Sequence, residues 1–435
     1  MKVKSINLER VEGTARLELV WKDGFIEDAR VSFPYTRGIE RVLKDRPYMD
    51  ALVITPRVCG ICGHAHLIAC VRALEKAMGI EPTLKASLVR NITQSFEILQ
   101  NHIKWFYLFI LPEFLQDSNG LRKLYEPFKG RRWFLAIRQA AQAVKAIALF
   151  SGQWPHSSYA VPGGITSNPK PSDLAQLEAI THQIRDFFLK QVVGLEEEEL
   201  RRFLEGGSLS LLKGDLGLFL EFAHKEGLFR AGRAYNRLLS GGELYNPSGF
   251  YCKKTYHGRI KPSALQELTP PSYSTVSPLR YRSFPYETGP LSRQLLSGNR
   301  FIKNLHREYG DSFMVRVVAR VLEIWHILSR IEEGTKRLYE CLHEPSTSLK
   351  KPPHVKRAYG YAFVEAARGT LMHEVEIEEG LIKRYRIITP SQWNLGPRCE
   401  RFLGVAERAI VGLESERQAM LVLRSFDLCS VCTTR

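Results

Sequence analysis

The sequence predicts an α+β fold that is mainly helical, on three observations. Apolar and polar positions alternate over residues 3 to 33. Apolar residues recur at helical spacing through two long segments, 84–111 and 311–342. Alternation then returns in the last quarter, from Tyr361 to Ile388.

Each element has a local reason. Val3, Ile6 and Leu8, then Ala15, Leu17, Leu19 and Trp21, then Ile26, Ala29 and Val31 mark the strands of an antiparallel meander. Lys22-Asp23-Gly24 is a hairpin signal between the second and third. Inside the meander lies Arg10-Val11-Glu12-Gly13, whose glycine admits a close neighbour. Arg37-Gly38-Ile39-Glu40 opens a short helix running to about Lys44. Helical spacing from Ala65 to Met78 follows Cys59-Gly60-Ile61-Cys62, so that pair sits at a helix N-terminus, where the dipole and nearby Arg57 favour thiolate. Residues 84–111 read as one long helix ending near Pro112, and Asn119-Gly120 as a turn. Helices are expected over 132–151 and 172–205, with a tight loop at 155–164 between them. The stretch 236–297 is rich in Gly, Pro, Ser and Tyr and reads as loop. A second small antiparallel sheet turns around Glu379-Gly380, a structured loop covers 390–398, and a final helix spans 399–424.

The chain divides along these lines into one large unit over 1–435. Its parts are the meander and first cysteine loop at 1–60, a helical region at 61–235, the loop-rich segment at 236–297 and the remaining helices, sheet and cysteines at 298–435. The 435 residues are 44% hydrophobic and 25% charged, ordinary for a globular chain. No run of about 18 uncharged apolar residues occurs, so no transmembrane helix is expected. The opening Met-Lys-Val-Lys-Ser has no apolar export core, which points to the cytoplasm, with any membrane attachment supplied by partner subunits. The net charge is +16, spread along the chain without a nucleic-acid motif, so nucleic acid is not an expected partner.

Chemistry concentrates in the cysteines. There are eight, too few for a disulfide scaffold of this length. Four form two C-x-x-C pairs, Cys59/Cys62 and Cys429/Cys432, at opposite ends of the chain. A chain end normally frays; two thiols there gain a purpose if they close a site with the upstream pair. Four thiolates suit a soft metal, and the long separation argues against a local zinc ribbon. Zinc, iron–sulfur, nickel and a binuclear centre all remain open on composition alone. Cys70, Cys252, Cys341 and Cys399 read as buried apolar fillers.

The motifs in order resemble those of [NiFe]-hydrogenase large subunits along the whole chain. They are Arg10-Val-Glu12-Gly13, Arg37-Gly-Ile-Glu40, Arg57-Val-Cys59-Gly-Ile-Cys62 with His66, Pro155-His156 with Pro162-Gly-Gly164, Glu287-Thr-Gly-Pro-Leu-Ser-Arg293, Glu365-Ala-Ala-Arg368-Gly, Pro390-Ser391-Gln-Trp-Asn394, and Asp427-Leu-Cys429-Ser-Val-Cys432. The resemblance implies a central long-helix bundle flanked by the two small sheets. It also implies reversible heterolytic cleavage of dihydrogen at nickel, bound by Cys59, Cys62, Cys429 and Cys432, beside an iron carrying one carbon monoxide and two cyanides. Cys62 and Cys432 would bridge the two metals. Cys429 would accept the proton and Glu12 relay it outward. Arg368 would hold a guanidinium over the metals, Ser391 would donate to a cyanide, and His66 would hydrogen-bond a bridging sulfur. Asp427 and Asn101 would lie close by.

The departures are Thr14 where the family has histidine, Asn101 where many members have aspartate, Ala367 where proline is usual, and Leu428 in place of the proline of D-P-C. Arg435 replaces a closing histidine that helps bind a third metal, usually magnesium, with the counterpart of Glu40. A guanidinium has no lone pair to give a metal, so Arg435 is expected to pair with Glu40 instead. The resemblance further implies an iron–sulfur small subunit as electron partner, since no iron–sulfur cluster is expected in this chain, and maturation factors that load the centre. The competing expectations are a hydrogen-sensing subunit with slow turnover and a structural zinc protein.

Overall fold

The computed structural model describes residues 2–9, 12–117, 119–242, 249–252, 260–349 and 351–433. Strands β1 (Lys2–Asn7), β2 (Arg16–Lys22) and β3 (Phe25–Ser32) form the expected antiparallel meander. The β2–β3 turn places Asp23 and Gly24 at φ 51° and 86°, the left-handed pair that a tight hairpin requires. Leu17, Leu19, Ile26, Ala29 and Val31 form its buried face.

Helix α1 (Gly63–Met78) carries the first cysteine pair at its start and is buried for most of its length. Helix α2 (Leu84–Trp105) is capped by Thr83, whose side chain accepts from the Ala86 N–H at 3.1 Å. It is buried almost all round, as suits the central helix of a bundle. Helices α3 (Asn119–Tyr125), α4 (Arg131–Ser151) and α5 (Pro171–Phe187) follow, and the 28-residue α6 (Phe313–Glu340) closes the bundle. Helix α2 packs on α4 and α6, and α5 on both of those. Each Leu, Ile, Val or Phe buried in these seams contributes roughly 1.5–3 kcal/mol.

The second sheet consists of β4 (Arg357–Ala366), β5 (Gly369–Glu378) and β6 (Leu381–Ile388), antiparallel in that order. It lies against α1. Gly360 permits this contact, because a Cβ there would stand 2.3 Å from the Ala77 nitrogen. Helix α7 (Pro390–Leu395) packs on the last helix, α8 (Ser430–Thr433). The chain end is tied to its beginning: the Val431 N–H donates to the Glu12 carbonyl at 3.1 Å, and Glu12 and Cys429 form a parallel bridge.

Several elements differ from expectation. The helix from Leu84 leaves α-geometry at Phe106, passes through a π-turn over Phe106–Ile110, and then makes a 3₁₀ segment over Leu111–Asp117 that accommodates Pro112. Asn119-Gly120 opens α3 rather than forming a turn. The segment 172–205 breaks at Gly194, in left-handed conformation, before a separate helix Glu197–Gly206. The loop-rich stretch contains short strands and the helix Pro290–Leu296. The 390–398 loop is largely α7, and 399–424 holds two helices, Val405–Ile410 and Glu416–Ser425, separated by Gly412 at φ 93°. No described helix is long and apolar enough to cross a membrane.

Candidate metal centre

The local backbone explains how four sulfurs converge. Cys59 ends a 3₁₀ turn (Thr55–Val58) in extended conformation, and Cys62 is the N-cap of α1. The loop folds back so that the Ile61 and Cys62 N–H groups donate to Cys59 Sγ at 3.4 and 3.2 Å. Cys429 and Cys432 occupy the start and first turn of α8. Gly13, at φ 92°, lies beneath them; a Cβ there would stand 3.0 Å from Val431 Cγ1 and 3.1 Å from Ser430 Cβ.

The four sulfurs form one buried group. Cys59 and Cys429 are 3.9 Å apart, Cys62 and Cys432 3.4 Å, and Cys429 and Cys432 3.0 Å. The ligand atoms of Cys59, Cys62 and Cys432 all lie within 4.8 Å of one another. Hydrogen bonds from Cys432 and Cys59 hold the Cys62 thiol down at about 7, while burial pushes Cys429 up to about 12. Four sulfurs this close and this dry cannot all ionise without a cation among them.

Acids and bases frame the group. Glu12 Oε1 accepts from the Gly60 N–H at 3.1 Å, and Oε2 lies 3.5 Å from Cys59 Sγ and 3.6 Å from Cys429 Sγ. Burial, and then the neighbouring Cys429, raise its pKa. Arg368, in the β4–β5 turn, places Nε 3.1 Å from Asp427 Oδ2 and donates to the Asp427 carbonyl at 3.0 Å. Burial opposes its charge, but Asp427 and the thiols of Cys429, Cys62 and Cys59 keep it protonated. Asp427 also takes Arg320 Nη1 at 2.6 Å. Arg57 is exposed and turns back to the Val53 carbonyl, so the cation facing the thiols is Arg368 rather than Arg57.

Arg368 is aimed from behind. Arg293 donates to the carbonyls of Ala366 at 2.8 Å and Ala367 at 3.4 Å. It is itself held by Glu323 (2.8 Å) and Glu365 (3.1 Å), all three fully buried. Glu365 accepts further from Ser240, Thr370 and the N–H groups of Gly241 and Gly242. Arg293 and Glu365 thus tie the Glu287–Arg293 and Glu365–Arg368 motifs together, while Glu287 is bound to Arg316 at 2.8 Å through both oxygens.

The other expected residues are placed as follows. Asn101 Nδ2 donates to the Ile61 carbonyl at 3.3 Å, bracing the first cysteine loop. His66 Nδ1 is 3.0 Å from His373 Nε2, and His373 reaches the Tyr385 hydroxyl at 2.8 Å. Ser391 is buried in α7, which packs on the helix of Cys432. Glu40 accepts from the Ile387 N–H at 2.7 Å; Arg435, its expected partner, lies outside the described residues. Of the other cysteines, Cys70 and Cys341 are buried and Cys399 is partly exposed, against the expectation of a filler. The side chain of Cys252 lies outside the described set.

Three supports went unrecognised in the sequence. The Arg37 guanidinium donates to the carbonyls of both Val58 and Val431, clamping the two cysteine segments together. Thr389 Oγ1 donates to the Cys432 carbonyl at 2.9 Å. Glu97, fully buried, accepts from the His64 and Ala65 N–H groups at 3.0 and 2.9 Å and from Trp154 Nε1 at 3.2 Å, capping α1. Burial pushes its pKa up to about 7. An acid inside the apolar run Phe96-Glu97-Ile98-Leu99 was the available signal.

The residues fit a nickel–iron centre with small anionic ligands. The donor set is four soft sulfurs. Arg368 Nη1 and Ser391 Oγ are both buried and donate to no protein atom, which leaves two donors for acceptors the polypeptide does not supply.

Comparison with known proteins agrees with this chemistry. The sequence model of the nickel-dependent hydrogenase family matches residues 37–116 and 245–435. The periplasmic [NiFeSe] hydrogenase large subunit of Desulfomicrobium baculatum is 26% identical over 95% of this chain and 90% of its own length. The sulfhydrogenase 2 subunit alpha of Pyrococcus furiosus is 26% identical, covering 98% and 96%. The solved structure of the reduced Ni-Fe-Se hydrogenase from D. vulgaris Hildenborough superimposes with a TM-score of 0.83 at 25% identity, over all of both chains. This chain therefore belongs to the nickel-dependent hydrogenase family.

Proposed function

We propose that the chain is the catalytic large subunit of a [NiFe]-hydrogenase that cleaves dihydrogen reversibly and passes electrons to an iron–sulfur small subunit. The observation that carries this reading is the buried group of four sulfurs from the two ends of the chain, with Arg368 Nη1 and Ser391 Oγ unpartnered. Cys59, Cys62, Cys429 and Cys432 would hold nickel, with Cys62 and Cys432 shared with iron. The centre, when bound, supplies the heterolytic cleavage of dihydrogen.

The chain's own residues supply the surroundings. Arg368 puts a fixed planar cation beside the thiolates, offsetting their charge and donating where an anionic ligand of iron would lie. Asp427 sets its angle. Cys429 Sγ takes the proton, and Glu12, 3.6 Å away, receives it and carries it outward. His66 is assigned to the sulfur of a bridging cysteine, its Nδ1 being fixed by His373. An iron–sulfur small subunit would serve as the electron exit, a reading supported by the likeness to hydrogenase large subunits. The reading includes maturation factors that load the centre and a cytoplasmic location.

Glu12→Gln tests the proton path. It keeps the side chain's shape and its bond from Gly60 but cannot gain and release a proton. The expected result is wild-type nickel content with hydrogen–deuterium exchange and turnover reduced by at least about 100-fold, the usual size of a general acid–base contribution. Unchanged rates in a nickel-replete variant remove Glu12 from the path.

A further inference from the structure

Between residues 118 and 172 the sequence holds eight Lys and Arg and a single acid, Glu126. This stretch carries +7 of the chain's net +16. The fold gathers that charge on one face. On α4, Arg131, Phe134, Arg138, Ala141 and Lys145 follow a three–four spacing that puts them on one side of the helix, and all are exposed. They span about 21 Å along its axis. Arg122 and Lys123 are exposed on the adjoining α3. None of Arg122, Lys123, Arg131, Arg138 and Lys145 makes an ion pair with any described residue. Lys129 meets Glu126 at 3.0 Å, and Arg132 turns inward to Asp215.

Two phenyl rings stand among these cations. Phe134 is 48% exposed and Phe128 78%, the latter at φ 63°. A bulky residue rarely takes the left-handed conformation, and water is a poor surrounding for its ring. Phe128 touches Trp133 (centroids 5.0 Å apart), which in turn meets Phe134 (5.1 Å), so the two exposed rings belong to one aromatic cluster. Strain and apolar exposure together at one turn are features that function retains and folding alone does not.

We infer that the α3–α4 face docks this subunit directly onto an anionic lipid bilayer. Phe128 and Phe134 enter the boundary between headgroups and acyl chains, and the unpaired cations lie at the level of the phosphates. Apolar rings set among Lys and Arg on one helix side are the pattern of an interfacial contact. Cations spread along one helix side around two exposed rings suit a surface of mobile phosphates. The contact is separate from the metal centre and requires no membrane-spanning segment.

Co-sedimentation of the purified complex with lipid vesicles tests this. The complex should sediment with vesicles of phosphatidylcholine containing phosphatidylglycerol and not with pure phosphatidylcholine, and high salt should weaken binding. The triple variant Arg122→Gln, Arg131→Gln, Arg138→Gln should lose about 100-fold in partitioning, each surface cation being worth about fivefold. The double variant Phe128→Ser, Phe134→Ser should bind more weakly at both salt concentrations. All these side chains are exposed, so both variants should keep wild-type nickel content. Wild-type complex that stays in the supernatant, or binds neutral vesicles equally well, overturns the inference. So does a triple variant that partitions like wild type. Binding to polyglutamate through the same arginines, without vesicle binding, would make an acidic polypeptide the occupant and overturn it as well.

Discussion

Glu323→Gln should destabilise the protein by about 3 kcal/mol at neutral pH, by an amount that shrinks as the solution is acidified. Glu323 is fully buried in α6 and receives Arg293 Nε at 2.8 Å and His102 Nε2 at 2.7 Å. Burial pushes its carboxyl up, but Arg293 and His102 outweigh burial and hold it at about 2, against an ordinary value of 4.5. Burial drives His102 itself down to about 4, so at neutral pH the histidine is an uncharged donor and Arg293 is the effective counter-ion. A carboxyl held that far down contributes about 3 kcal/mol at pH 7. Breaking a buried ion pair costs about 3–5 kcal/mol by direct substitution, and a glutamine that keeps one acceptor should fall at the lower end. The folded value lies below the unfolded one, so this stability is present above about pH 4.5 and is lost as pH falls towards 2. At pH 3.5 the gap between wild type and variant should have narrowed to about 2 kcal/mol. Urea unfolding at both pH values measures it, as a shift in midpoint at unchanged slope. Equal stability at pH 7, or a gap that does not move with pH, would refute the assignment of Arg293 and Glu323 as the charged brace behind Arg368.

The remaining predictions concern the site itself. Cys62→Ser and Cys432→Ser should each abolish nickel retention by elemental analysis, while Cys70→Ala and Cys341→Ala should retain it; wild-type nickel in either of the first two breaks the ligand assignment. Arg37→Ala removes the clamp between the Val58 and Val431 carbonyls. Charged hydrogen bonds are each worth about 1.5–3 kcal/mol, less for a partly exposed guanidinium. Proteolysis at the chain end should therefore accelerate at least about fivefold in this variant, by mass spectrometry of timed digests; an unchanged rate means the terminus is held by other contacts.

Much of the fold was legible because its signals are local. The β1–β3 meander follows from alternation and from Asp23-Gly24. The helices at 63–78, 84–105 and 313–340 follow from apolar periodicity. What sequence spacing missed was decided by context. The π-turn at Phe106–Ile110 keeps an apolar run helical beyond the expected α-geometry, and Gly412 divides a helix whose two halves both look helical. At the centre, the convergence of the four cysteines was legible from two C-x-x-C pairs, and the position of Glu12 and Arg368 beside them from resemblance. Glu97 and Glu323 were not, because a charged residue is usually solvated and only tertiary packing shows which acid is buried; nor was Arg37, an exposed cation whose two carbonyl partners, Val58 and Val431, meet only in the folded chain. Arg57 is the converse case: adjacent to the cysteines in sequence, it points away from them in space.

Infrared spectroscopy of the purified complex, with nickel and iron determined on the same sample, tests the central claim most directly. Arg368 Nη1 and Ser391 Oγ are buried donors without a protein acceptor, and the account gives them the diatomic ligands of iron. It predicts one carbon monoxide band and two cyanide bands in the wild type, and a shift of the cyanide bands in Ser391→Ala. A sample that contains zinc in place of nickel, or nickel and iron with no such bands, would contradict it.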